Sequence, residues 1–229
     1  MANIREIQTR INSVKDTMKI TNAMYMISST KMRQAKKKLA ESEPYFYGLQ
    51  GEISRILRHM PEIDHLYFDK REEVPKEKRK IGSIVITADK GLAGAYNHNI
   101  VKVEDELLKE PGEHKLFVVG ELGRHYYANK GVKIDTNFLY TVQKPTMHRA
   151  RDIAEVIFSQ FREGELDEVY IVYTRMENSM LTMVEKMKIL PLERSSFNEM
   201  KMPINIHREA IALYPSAEAV LDSIVPNYV

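Results

Sequence analysis

The residues whose spacing first invites a chemical reading are Asp89, Lys90, Gly91 and Gly94, within TADKGLAGAYN. They follow the β-branched run 81–87 and precede an amphipathic stretch. The pattern predicts a glycine turn between a strand and a helix, a place where backbone N–H groups can hold phosphate. The turn offers only G-x-x-G, however. The dinucleotide fingerprint needs a further glycine and an acidic residue ending the next strand, and no G-x-x-x-x-G-K-[ST] loop occurs in the chain. Asp89, Lys90, Gly91 and Gly94 are therefore read as a structural turn, with Asp89 and Lys90 as an ion pair or a device that starts the helix. A nucleotide-binding α/β protein with a coiled-coil interaction helix remains the alternative reading.

Other chemistry-bearing types are scattered. His59, His65, His98, His114, His125, His148 and His207 form no H-E-x-x-H pair, and none stands four residues from another. Ser28-Ser29 and Ser195-Ser196 lack the G-x-S-x-G elbow of a nucleophile. Glu163 and Glu165 lie in a charged, turn-like stretch and read as solvated. The chain has no Cys, which removes disulfides, Cys-ligated zinc and thiol catalysis. No catalytic residue, metal or cofactor is predicted.

The elements that would position these residues form two patterns. The first forty residues contain no Gly and no Pro, and apolar residues recur at Ile4, Ile7, Ile11, Val14 and Met18. That 3-4 spacing is a coiled-coil seam. A second stripe, Ile20, Met24 and Ile27 beside Ala23 and Met26, makes the helix apolar over most of its circumference between Met18 and Ile27. Forty helical residues span roughly 60 Å, more than one small domain covers. Periodicity resumes after Pro44 with Tyr47, Leu49, Ile53, Ile56 and Leu57, and fades near His59. The stretch 61–80, ending in DKREEVPKEKRK, reads as a charged, solvated linker.

Beyond it, strands are predicted at 81–87, 114–119, 131–135, 138–142, 167–173 and, antiparallel, 180–190. Helices are predicted at 97–108, 121–129 and 146–162. Ser216 is placed as the cap of a final helix, 217–224, stopped by Pro226. Strand alternating with helix implies an α/β fold with a mostly parallel, Rossmann-like sheet. The domain reading is a shaft helix over 1–60, the linker 61–80, an α/β domain over 81–212 and a helical segment over 213–229.

Charge is uneven. Residues 1–40 carry nine basic and two acidic side chains, while the whole chain is only +2. Lys31, Arg33, Lys36, Lys37 and Lys38 crowd the far part of the helix, which suits an acidic partner there. Nucleic acid is not favoured, because a groove-reading helix is polar where it faces the groove. No apolar run is long enough to span a bilayer, and the N-terminus lacks the apolar core of a secretory signal.

The opening IREIQTRINSVKDTMKITNAMYMISSTKMRQA, the turn TADKGLAGAYN and the stretch EGELDEVYIVYTRMENSM leading to LPL resemble the gamma subunit of F-type ATP synthase, in order and over essentially the whole chain. The resemblance implies a non-catalytic rotor shaft. It would couple rotation of the membrane c ring, driven by proton flow, to conformational change at the catalytic beta subunits. Implied partners are the alpha and beta subunits, the epsilon subunit and the c ring. The implied location is peripheral, at the cytoplasmic face of a bacterial cell membrane.

On this resemblance Met18, Lys19, Ile20, Met24, Ile27, Lys31, Arg33 and Lys36 would face the alpha/beta sleeve. Ile4, Ile7, Ile11, Val14 and Met18 would meet a partner helix. The family continues past PSAEAVLDSIVPNY into a long C-terminal helix, so 213–229 is expected to be the truncated start of that segment. The seam is then expected to be exposed.

Overall fold

In the computed structural model the described residues are 4–69, 71, 73–138, 142, 145–178, 181–198 and 212–229. The chain divides into two compact units, Met1–Gly48 and Leu49–Val229. Helix α1, Ile4–His59, supplies nearly all of the first unit and the opening of the second, and it passes through Pro44. Pro44 is solvent-exposed, as is Ala40 four residues earlier. The carbonyl that loses its helical partner there can be solvated, so the helix tolerates the proline.

The second unit is built on five strands: β1 (Lys80–Ile86), β2 (Glu113–Val119), β3 (Ile134–Phe138), β4 (Glu168–Met176) and β5 (Thr182–Leu190). Their order is β3-β2-β1-β4-β5. The pairs β1–β2, β1–β4 and β2–β3 are parallel, and β4–β5 is antiparallel. The fold is the α/β class expected, with the antiparallel edge strand in its expected place. Helices α2 (Tyr96–Leu107), α3 (Glu121–Lys130) and α4 (Met147–Arg162) are the crossovers. A single turn, α5 (Ser195–Asn198), and a last helix, α6 (Ala217–Tyr228), follow β5.

Strand alternation feeds two cores. Ile84, Phe117 and Val119 point to one face, packed with Ile157, Phe158 and Phe161 of α4, Leu221 and Val225 of α6, and Ile53, Ile56 and Leu57 of α1. Val85, Leu116, Val118 and Val172 point to the other, packed with Ile100, Val101 and Leu107 of α2 and Tyr127 of α3. Both faces of β1 are covered, which is why KIGSIVI reads as continuous rather than alternating.

Local signals set the element ends. The Thr146 hydroxyl accepts from the Arg149 N–H at the start of α4, and the Ser216 hydroxyl accepts from the Ala219 N–H at the start of α6. Gly131 closes α3 in the left-handed conformation, φ 73°.

Three expectations need correction. The stretch 61–80 is not a solvated linker, because Ile63, Tyr67 and Phe68 are buried in the first core. The segment is pinned through Arg71 and Arg79. Arg71 donates to the Leu166 and Phe161 carbonyls and to Asp167 at 2.7 Å, and Arg79 reaches Glu168 at 2.5 Å. Pro226 does not end α6, which runs to Tyr228. The carbonyl it leaves unpaired belongs to exposed Asp222, where water can serve it. Finally, β3 covers Ile134–Phe138 rather than 131–135. Residues 139–141 of the further strand expected at 138–142 lie outside the described residues, as do Met180 and His207.

Candidate functional site

Two sets of residues were singled out by sequence: the surface of α1 and the turn after β1. The turn uses its polar groups locally. The Thr87 hydroxyl donates to the Val119 carbonyl at 3.0 Å and accepts from the Gly123 N–H at 2.9 Å. The Asn97 side-chain carbonyl accepts from the Ala88 N–H at 2.9 Å, and Asp89 accepts from the Glu121 N–H at 3.2 Å, at the start of α3. Asp89 thus bonds to the start of α3, and a carboxylate is favoured at a helix N-terminus. Gly94, with φ 57°, takes a left-handed turn. Lys90 and Gly91 are exposed at the tip. The arrangement joins the C-terminal ends of β1 and β2 to the starts of α2 and α3.

The surface of α1 within the first unit is different in kind. Ile4, Ile7, Ile11, Val14 and Met18 are all exposed, Ile4 at 79%. Ile20 at 62%, Met24 at 46% and Ile27 at 59% are exposed as well, beside Tyr25 and Met26. In the second unit isoleucine on the same helix is covered: Ile53 is 0% exposed and Ile56 1%. An apolar band of this size in water marks a surface meant to be covered.

Four threonines that interrupt the band are internally satisfied. Thr9, Thr17, Thr21 and Thr30 each donate a hydroxyl to the carbonyl four residues earlier, at 2.9 Å. Thr21, which looks like a polar break in the seam, thereby presents its methyl group without an unpaired hydroxyl. The basic side chains are at the surface, some in loose ion pairs: Lys19–Asp16 at 3.0 Å and Lys37–Glu41 at 3.8 Å. Lys31, Arg33 and Lys36 are exposed along the same stretch. The helix therefore offers apolar contact on several sides and positive charge toward its middle.

One polar cluster escaped the sequence reading. Glu104 of α2 is 0% exposed and accepts at 2.5 Å from the hydroxyl of Ser83, also buried. Burial pushes its carboxyl up to about 7, with the Ser83 hydrogen bond working against the rise. Tyr127 of α3 is also 0% exposed, and burial first, then the nearby Glu104, raises its phenol. The signal was present, since Glu104 falls on the same i, i+3, i+4, i+7 stripe as Ile100, Val101 and Leu107. Among the described residues no group of three His, Asp or Glu is arranged to hold a metal ion.

A family model described as ATP synthase matches residues 3–229. The ATP synthase gamma chain of Caldanaerobacter subterraneus subsp. tengcongensis is 38% identical over 231 residues, covering 98% of this chain and 78% of that one. The ATP synthase gamma chain of Ruminiclostridium cellulolyticum is 39% identical over 229 residues, covering 99% of this chain and 77% of that one. Among solved structures, the central stalk and c-ring assembly of the Tetrahymena thermophila mitochondrial ATP synthase contains a chain of like fold. Its TM-score is 0.62 at 20% identity, covering 91% of this chain and 87% of that chain. With a family match over almost its whole length and gamma-chain relatives aligned across it, this chain belongs to the gamma-chain family of F-type ATP synthases.

Proposed function

We propose that the protein is the central rotor shaft of its ATP synthase and that its first unit is the bearing. As a gamma chain it is a subunit of that enzyme complex. It makes and breaks no bond itself; its part is mechanical. Rotation of the c ring turns the shaft, and the shaft biases each catalytic beta site in turn between open and closed forms. The observation that carries this reading is the exposed α1 surface: apolar on several sides, basic, and with its threonine hydroxyls bonded to its own backbone.

Met18, Lys19, Ile20, Met24, Ile27, Lys31, Arg33 and Lys36 are the residues proposed to run against the alpha/beta sleeve. Ile4, Ile7, Ile11, Val14 and Met18 are proposed as the seam for a partner helix. A mixture of apolar contact and diffuse charge suits a bearing, because rotation needs orientations of similar free energy and a tight fit at one angle would trap the shaft. The α/β unit, with its structural turn at Asp89–Lys90–Gly91 and Gly94, is proposed as the mount for the epsilon subunit and the c ring. No helix among the described residues is long and apolar enough to cross a membrane. Its association with the cytoplasmic face of a bacterial membrane would be through the complex.

Met24→Lys tests the reading. In a complex reconstituted with alpha and beta subunits, it should lower the rotation obtained per ATP hydrolysed by severalfold, while thermal unfolding of the α/β unit stays unchanged. Equal coupling in variant and parent would contradict the assignment of Met24 to the bearing.

A further inference from the structure

Glu104 has no role in the bearing, and its surroundings are poorly suited to a charge. It shares a face of α2 with Ile100, Val101 and Leu107, which pack into the second core. One carboxyl oxygen accepts from Ser83; the other, and the hydroxyl of Tyr127, are buried without a hydrogen-bond partner. The elements packed against α2 are β1, β4, β5 and α3. From β1 comes only the neutral Ser83. From β4 comes Tyr170, whose hydroxyl is bonded to Glu168. From β5 comes Lys186, already engaged with Glu110 at 2.9 Å and lying over the Tyr170 ring. From α3 come Tyr126, Tyr127 and Lys130, of which Tyr126 and Lys130 are both held at 2.7 Å by Asp105. Asp105 itself adds negative charge beside Glu104 on α2. Among the described residues no cation is bonded to Glu104; Lys186 favours its ionised form only weakly, through its charge, and that form would keep a single hydrogen bond in an apolar core.

We propose that Glu104 is a proton-dependent latch: α2 stays seated on the sheet while this carboxyl is neutral and loosens when it ionises. Burial holds the seated carboxyl at about 7, whereas a solvated glutamate titrates at roughly 4.3. Because the seated value is the higher one, the contribution to seating is complete below the solvated value and is lost as pH rises through the seated value. Ser83 supports the ionised form, so it tunes the pH at which the latch releases. This inference concerns the α/β unit alone and does not depend on the rotor reading.

Amide hydrogen exchange on the full-length chain tests it, with rates corrected for the intrinsic pH dependence of exchange. Between about pH 5 and pH 7 the opening equilibrium of α2 should rise by nearly tenfold per pH unit, then level off above about pH 8. Amides of α4, on the opposite face, should stay level. Glu104→Gln should flatten the α2 slope. Ser83→Ala should move the release to higher pH, which also decides the matter if Glu104→Gln does not fold. The proposal is overturned by α2 protection that ignores pH in the parent, by an unchanged slope in Glu104→Gln, by an unmoved transition in Ser83→Ala, or by α4 opening in step with α2.

Discussion

The two units spend isoleucine and valine in opposite ways. In Leu49–Val229 the Ile, Val and Phe side chains close two cores on either face of a sheet, and Ile53, Val85 and Phe117 are 0% exposed. In the first unit the described Ile and Val side chains all stand in solvent, and α1 buries none of them there. One ion pair from each unit makes a similar contrast. Arg71–Asp167, at 2.7 Å, has side chains only 12% and 10% exposed; Lys19–Asp16, at 3.0 Å, has 76% and 70%. The first pair belongs to the packing, while the second is screened by water and holds little. Apolar side chains thus close a core in one region and stand exposed along a helix in the other.

Breaking the second unit should be easy and costly, and the largest effect is expected at Gly120. Its φ is +102°, and a Cβ there would lie 2.3 Å from the Thr87 carbonyl oxygen. Thr87 cannot retreat, since it is bonded to Val119 through both its N–H and its hydroxyl. Gly120→Ala should destabilise the unit by about 4 kcal/mol or more, read from urea unfolding. A loss under about 1 kcal/mol would mean that this junction between β2 and α3 yields readily.

Next in size is Arg71→Ala, at about 3 kcal/mol. It strands the Asp167 carboxylate, which would keep only the Lys80 N–H among the partners named here, and it frees the Phe161 and Leu166 carbonyls. Lys19→Ala, the matched change in the first unit, should leave unfolding unaltered within measurement. Comparable losses from the two would erase the distinction between the regions.

The sequence displayed most of the second unit. The strand 81–87 showed as a β-branched run, and α4 as a helical stretch over 146–162. It hid what depends on distant partners. Ile63, Tyr67 and Phe68 follow no period and sit among charges, so their burial could not be read. Arg71 and Asp167 are far apart in the chain and look like two ordinary surface charges. Pro226 reads as a stop because a sequence does not tell which carbonyl faces water. For α1 the apolar and basic pattern was legible, and exposure shows that none of the described residues of its own unit covers it. Which partner surface each residue meets is written in neither, because that information resides in the other chains.

The smallest expected effect on folding is also the sharpest contrast. Ile7 stands on the α1 seam at 50% exposure, so Ile7→Asp removes no core contact and adds a charge that water can solvate. Unfolding of the second unit, followed by the near-UV signal of its tyrosines, should shift by less than about 0.5 kcal/mol. Assembly with alpha and beta subunits, measured as the yield of complex on size exclusion, should fall severalfold, because a carboxylate would then face an apolar partner helix. If both measurements stay level, Ile7 is a solvated residue of a simple surface and the seam assignment fails. If the second unit itself weakens by more than about 1 kcal/mol, the first turns of α1 belong to that core after all. Only a change in assembly with folding intact fits a helix whose apolar side chains exist for other chains.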